Sequence, residues 1–189
     1  MKVRWLGNSC VEISEKFDLL IDPNYTIKPK EVYDIVCITH EHTDHIDVEK
    51  LKTIKYEILA APKATLEEYG LDGKAVKPGD EVNGIKVLES WCWKAKESVS
   101  YLYGGVIHPG DSAKFPDVSG VKLAFTACFP DFFQQYVEEL KRINPELVVP
   151  FHYNYEKENK RKNAEELVEL LTDEGLNARV VKPGEIIEI

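Results

Sequence analysis

The chain has 189 residues, 43% of them hydrophobic and 10% aromatic, which suits one globular domain spanning 1–189 with a sizeable core. A formal net charge of −9 lacks the electrostatic footprint of a nucleic-acid binder. The four cysteines (Cys10, Cys37, Cys92, Cys128) are irregularly spaced and no apolar run is long enough to span a bilayer. A disulfide framework and a membrane span are therefore not expected; reduced thiols and a cytoplasmic location are.

The opening stretch reads as strands joined by tight turns rather than as a signal-peptide core. Val3–Leu6 is followed by Gly7-Asn8, a hairpin-type dipeptide, and then by Cys10–Ile13 and Phe17–Ile21, stopped by Asp22-Pro23-Asn24. Asp34–Thr39 is β-branched and apolar, the pattern of a buried strand. A helix is expected over Val48–Ile54, a strand over Tyr56–Ala60, and a short helix opened by Pro62 that ends before Gly70. Strands follow at Val82–Glu89 around Gly84, at Val99–Tyr103 and at Val106–His108, and Lys122–Ala127 is another apolar strand. Asp131 is placed to cap a helix over Phe132–Ile143, where Phe133, Tyr136, Val137 and Leu140 fall at helical spacing. Leu147–Pro150 is a buried-type strand. Glu156–Lys162 is a mixed-charge run, read as a solvated loop or helix start, and Ala164–Leu171 is an amphipathic helix. Ala178–Val181 and Ile186–Ile189 close the chain as strands. Strands first, then mixed β and α, indicate sheets with helices packed outside.

The hexapeptide His40-Glu41-His42-Thr43-Asp44-His45 holds three of the chain's five histidines with an aspartate among them. Imidazole and carboxylate are the ligand types of Zn²⁺ and related divalent ions. The cluster lies at a strand's carboxyl end, where open α/β sheets place their ligands. Asp22, Asp111 in Gly110-Asp111-Ser112, and His152 in Phe151-His152-Tyr153-Asn154 also follow predicted strands. Convergence of these four strand ends at one sheet edge is the economical expectation.

On these residues the chain resembles the metallo-β-lactamase-fold proteins, and within them the small metal-dependent hydrolases related to L-ascorbate-6-phosphate lactonase. The matching elements run in order from Trp5-Leu6-Gly7 through Leu20-Ile21-Asp22-Pro23, Thr39–His45, Gly110-Asp111-Ser112 and Pro150–Asn154 to Lys182-Pro183-Gly184-Glu185. The His-x-His-x-Asp-His motif is highly specific, whereas Gly-Asp-Ser alone is weak. The resemblance implies an α+β, four-layer αββα sandwich. It implies that His40 and His42 serve a first metal site, that Asp44, His45 and His152 serve a second, and that Asp111 bridges the two. Asp22 would be an outer carboxylate orienting the histidine loop, and His108 a supporting histidine that does not ligate.

One departure stands out. The family supplies a third histidine to the first site ahead of Gly-Asp-Ser, and Glu89–Ser98 contains none. Cys92 is either a substitute ligand or a small buried residue between two packing tryptophans; Glu97 is a weaker substitute, and Lys94 or Lys96 could place a positive charge there instead. For Trp91, Trp93, Phe132, Phe133, Tyr153 and Tyr155 core packing is expected ahead of a role in walling a substrate pocket. The expected function is hydrolysis of a small ester, lactone, amide or phosphoester through a metal-bound hydroxide, with Asp111 and His152 carrying the catalytic centre. Zn²⁺, one or two ions, is the expected cofactor, with Mn²⁺ or Fe as alternatives. A small molecule is the expected substrate, and a homo-oligomer is open. The competing reading is a degenerate metal-binding member with little turnover, acting as sensor or scaffold; iron-based redox chemistry and nuclease activity rank below it.

Overall fold

Two short hairpins begin the chain because its apolar residues alternate. In β1 (Lys2–Trp5) and β2 (Val11–Ser14), Val3 pairs with Ile13 and Trp5 with Val11, so one face of the ribbon is apolar. Gly7 makes the connecting turn at φ 96°, with Asn8 also left-handed at φ 48°. In the computed structural model, which describes residues 1–189, β3 (Asp18–Ile21) returns antiparallel to β2. β4 (Val32–Cys37), β5 (Lys55–Ala61) and β6 (Lys74–Ala75) then add in parallel. With β13 (Ile186–Glu188) on the other edge, the first sheet has the order β13-β1-β2-β3-β4-β5-β6.

The second sheet has the order β12-β11-β10-β9-β8-β7, from β7 (Glu81–Val82), β8 (Ile85–Glu89), β9 (Val99–Tyr103), β10 (Val106–His108), β11 (Leu123–Ala127) and β12 (Leu147–Phe151). The β-strand period of two sorts side chains into layers. Leu19 and Ile35 face the space between the sheets with Val87, Tyr101 and Phe125, whereas Leu20, Val36 and Leu59 belong to a separate apolar cluster. That outer cluster includes Leu51 of α1 (Val48–Leu51) and Leu66 of α2 (Lys63–Tyr69). On the other side, α3 (Phe133–Ile143) buries Tyr136, Val137, Leu140 and Ile143, and α4 (Glu158–Asp173) buries Ala164, Leu167 and Leu171. Helices, sheet, sheet, helices: the expected four-layer αββα sandwich is present.

The two sheets aim their strand ends at one edge. β3 and β4 are parallel. β8 and β10 are both antiparallel to β9 and so run the same way, and β10, β11 and β12 are parallel. Tyr101, fully buried, crosses between the sheets and donates from its hydroxyl to the Ile38 carbonyl at 2.9 Å. Val99 N–H donates to the Thr39 carbonyl at 3.0 Å. The histidine loop is thereby tied to the opposite sheet.

Two expectations are corrected, and the mixed-charge run Glu156–Lys162 proves to be a helix start. Ala178–Val181 is not a strand: only Ala178 bridges to Val148, before Pro183, which has no N–H to give a ladder, turns the chain into β13. Asp131 caps nothing; Pro130–Phe132 forms a 3₁₀ turn, and Phe132 precedes α3 without a side-chain cap. α4 starts at Glu158, six residues earlier than the apolar pattern, because its first turns bury nothing and rest on pairs such as Arg161–Glu165 at 3.3 Å.

The layered packing gives a stability prediction. Leu140→Ala is expected to lower the unfolding free energy by about 2–5 kcal/mol, and Val32→Ala, 58% exposed on β4, by about 0.5 kcal/mol or less. Urea titration of the two variants checks this, and equal midpoints would remove α3 from the core.

Candidate metal centre

Five strand ends deliver the polar cluster. Asp22 follows β3, His40–His45 follow β4, Cys92 follows β8, Asp111 follows β10 and His152 follows β12. Two of these residues have left-handed backbones, Asp22 at φ 54° and His152 at φ 63°. Such a conformation costs a non-glycine residue roughly 1–3 kcal/mol and persists where the surroundings over-determine it. At His152 they do: its N–H donates to the Asn8 carbonyl at 2.7 Å, and Asn8 bridges to Tyr153.

The donor atoms fall into two groups that share Asp111. Its Oδ1 lies 2.7 Å from His45 Nε2 and 3.1 Å from His152 Nε2. The two imidazole nitrogens are themselves 3.1 Å apart, and Asp44 Oδ2 is 3.3 Å from His152 Nε2. The other oxygen, Oδ2, lies 3.6 Å from His40 Nε2 and 3.7 Å from Cys92 Sγ. That sulfur is 3.4 Å from His40 Nε2 and 3.7 Å from His42 Nδ1. His40, His42, Cys92 and Asp111 thus form one set of four donors, and Asp44, His45, Asp111 and His152 the other, each within 4.8 Å of one another.

A buried carboxylate needs strong partners. Asp22 is fully buried; its Oδ1 accepts from Thr39 N–H at 2.7 Å, and its Oδ2 accepts from Thr39 Oγ1 at 2.8 Å and His45 Nδ1 at 2.5 Å. Holding the His45 proton on Nδ1 leaves Nε2 to face the cluster. Thr39 Oγ1, its hydrogen committed to Asp22, accepts from His40 Nδ1 at 3.0 Å and fixes that ring likewise. His108 is buried outside the donor sets, donates from Nε2 to the Ser9 carbonyl at 2.8 Å and accepts from Gly110 N–H at 3.2 Å. Ser9 Oγ donates in turn to the Asp44 carbonyl at 2.8 Å. His108 therefore braces the loop before Asp111 against the loop that holds Asp44.

The electrostatics follow from burial and charge. Burial and the neighbouring His45 keep His40 below the ordinary imidazole range, and burial does the same to His108. At His45 burial works downward, but the Asp111 and Asp22 carboxylates outweigh it and push the ring up to about 10. Asp111 is held well below the usual carboxylate range by His45 and His152 against the opposing effect of burial. The His152 hydrogen bond lowers Asp44 to about 2. Burial and the Asp111 charge push the Cys92 thiol up, so it is no free nucleophile; a cation at that sulfur reverses the balance, since a coordinating thiol loses its proton.

Around Cys92 the structure settles several alternatives. Its neighbours do not pack over it: Trp91 is 43% exposed and Trp93 80%. Glu97 turns away and accepts from Ala64 N–H at 2.8 Å, Lys96 pairs with Glu68 at 3.0 Å, and Lys94 Nζ stands 4.0 Å over the Trp93 ring. Neither lysine nor Glu97 therefore enters the cluster. The loop is pinned by Glu41, a residue the motif hid between two histidines: its Oε1 accepts from Lys96 N–H at 2.5 Å. Ser98 Oγ closes the loop's neck by donating to the Ser90 carbonyl at 3.1 Å. Of the aromatic residues expected in the core, Tyr153 is buried with its ring 4.8 Å from Trp5, and Tyr155 and Phe133 pack against the core. Trp91, Trp93 and Phe132 instead wall an open groove, joined by Phe129, which sequence reasoning missed. All four cysteines are free, and no helix is long and apolar enough to cross a membrane.

The outer carboxylate is open to test. Asp22→Asn is expected to weaken the binding of an added divalent cation by about 10- to 100-fold, read with Zn²⁺ as the probe by competition with a chromophoric chelator. Unchanged affinity would leave Asp22 with no part in orienting the ligands.

The β-lactamase superfamily domain matches residues 2–152. A UPF0173 metal-dependent hydrolase of Thermococcus onnurineus is 29% identical, with both chains covered in full. Among solved structures, the metallo hydrolase Igni18 from Ignicoccus hospitalis has a TM-score of 0.72 at 20% identity, covering 98% of this chain and 97% of its own. CmlA, a diiron β-hydroxylase from Streptomyces venezuelae, has a TM-score of 0.75 at 16% identity over 100% of this chain and 54% of its own. Fold, motif order and family match agree: the chain belongs to the metallo-β-lactamase superfamily, and relatives that it resembles over its full length carry the name metal-dependent hydrolase.

Proposed function

We propose that the chain is a zinc-dependent hydrolase of a small ester, lactone, amide or phosphoester, with Cys92 as a ligand of the first metal site. The observation that carries this reading is the division of the Asp111 carboxylate, one oxygen toward each donor set. The donors fit zinc. Two imidazoles, a carboxylate and a thiol make one set, and two imidazoles with two carboxylates the other, both within the nitrogen, oxygen and sulfur repertoire of that ion. The sulfur favours a borderline-soft metal over manganese or magnesium at the first set.

A divalent cation held there supplies Lewis acidity, activating water near neutral pH and polarising the electrophile. The chain's own residues do the rest. Asp111 holds the two halves of the centre together and accepts hydrogen bonds from whatever lies between them. His152 and Asp44, at the more open side, bound the space in which the scissile group sits. Asp22 and Thr39 hold protons on the Nδ1 atoms of His45 and His40, so a cation that displaced the Nε2 proton of His45 would meet Nε2 lone pairs on both rings. Preorganised donors of this kind lower the barrier without reorganising during the reaction.

Elemental analysis of protein purified without added metal tests the reading. Asp111→Ala and His152→Ala should lose zinc and hydrolysis of an ester, lactone and phosphoester panel together; full metal content in both variants would sink it. Cys92→Ala should lose one ion and keep the other. An unchanged zinc count in that variant would show that the sulfur does not ligate.

A further inference from the structure

Two recesses of unlike character open on the metal centre. The larger, about 1020 Å³, is lined by His42, Cys92 and Asp111 of the first donor set and walled by Trp91, Trp93, Phe129 and Phe132. Those four rings are four of the seven large hydrophobic side chains that the chain exposes. They come from two separate segments, the loop after β8 and the turn before α3. Exposed apolar residues scattered singly need no explanation, but their concentration along one groove marks a ligand surface. The aromatic wall is held from two sides: Lys114, which also lines the groove, sets its Nζ 4.4 Å from the Trp91 ring centre, and Glu41 pins the loop that carries both tryptophans.

The smaller recess, about 280 Å³, is lined by Asp44 and His152 of the second donor set. Its rim is polar, with Asn154, Lys157, Lys160 and Asn163. Lys157 and Lys160 are exposed and form no salt bridge, unlike Lys141, which pairs with Glu174 at 2.8 Å. Glu156 and Glu158, their acidic neighbours, are not among the lining residues. The two recesses share Phe129 and flank the same Asp111-centred cluster.

We infer that the substrate is bipartite: a bulky aromatic group lies in the Trp91–Phe132 groove, the scissile carbonyl or phosphoryl group at the metal centre, and an anionic oxygen group, carboxylate or phosphate, against Lys157 and Lys160. The inference rests on the hydrolytic reading, because only a reacting molecule need occupy both recesses and the centre at once. Stacking on aromatic faces selects the first part, with offset or edge contacts to rings on both walls. Unpaired ammonium groups select the second, and its contribution is sensitive to salt. A small polar sugar derivative would leave the aromatic groove unused. An uncharged aromatic ester would leave the lysines unused.

Non-hydrolysable ketones separate recognition from turnover. Binding to the metal-loaded protein is measured by calorimetry for naphthoylpropionate, which carries both groups, for levulinate, which keeps the anion and replaces the ring by methyl, and for acetonaphthone, which lacks the anion. A naphthyl phosphonate with the same spacer distinguishes phosphate-type from carboxylate-type anions. The expected order is naphthoylpropionate tighter than levulinate by about tenfold or more, the scale of one buried aromatic contact. Trp91→Ala and Phe132→Ala should each reduce that preference to about twofold, and the Lys157→Ala/Lys160→Ala pair should erase the preference over acetonaphthone. Equal binding of naphthoylpropionate and levulinate, or preferences that survive these changes, would overturn the inference. Hydrolysis of the matching naphthoyl amides and esters is assayed in parallel. Recognition with no turnover would refute the hydrolytic reading while leaving the two recesses as a binding site, and turnover without discrimination would do the reverse.

Discussion

The Asp22 carboxylate is the constraint on which the rest of the centre depends. It is fully buried at the end of β3, where an unpaired charge would be prohibitively costly. Its partners are the backbone and hydroxyl of Thr39 and the outer nitrogen of His45, all in the loop that follows β4. Satisfying one buried charge therefore folds the histidine loop, chooses the His45 tautomer and, through Thr39, chooses that of His40. The parallel pairing of β3 and β4, Ile21 opposite Cys37, is what brings the carboxylate and the loop together.

Asp111 plays the complementary part on the other sheet. Its two oxygens face different donor sets, so the two halves of the centre cannot move independently. The loop that presents it is braced by His108, whose neutral ring connects Gly110 to Ser9 and, through Ser9, to Asp44. Each sheet thus contributes a carboxylate, and each carboxylate is fixed by a network that spans the gap between the sheets. Networks of this kind are costly when half satisfied and rigid when complete, which suits a site that must hold its donors before a ligand arrives.

The half of the centre that has no third histidine takes its sulfur from the loop between β8 and β9. Cys92 lies in that loop, which Glu41 ties at Lys96, Ala64 at Glu97 and Glu68 at Lys96, and which turns at Lys94 with φ 65°. The same loop carries Trp91 and Trp93, so one segment supplies both a donor to the first set and a wall of the groove. A change in that loop would alter the first donor set and the groove together.

Much of this was legible from sequence because it is local. His40–His45 places four donors within six residues, and a β-branched run before it assigns the strand end; Asp22, Asp111 and His152 each follow their own apolar strand. The helices α3 and the later turns of α4 announce themselves by apolar spacing, whereas the first turns of α4 do not, since they bury nothing. Ala178–Val181 has the composition of a strand, but such a run near a sheet edge looks the same in sequence whether it forms a ladder or a single bridge. What tertiary structure alone decided is what depends on distance between segments far apart in the chain. No spacing rule says that a cysteine 52 residues beyond His40 meets its imidazole at 3.4 Å, or that Glu41 points at the Lys96 backbone rather than at a metal. Nor does a tryptophan's composition tell whether it fills a core or lines a groove; that is set by whether another layer covers it, and over Trp91 and Trp93 none does. The sequence determined which chemistry is present, and the packing of two sheets determined which of those groups face one another.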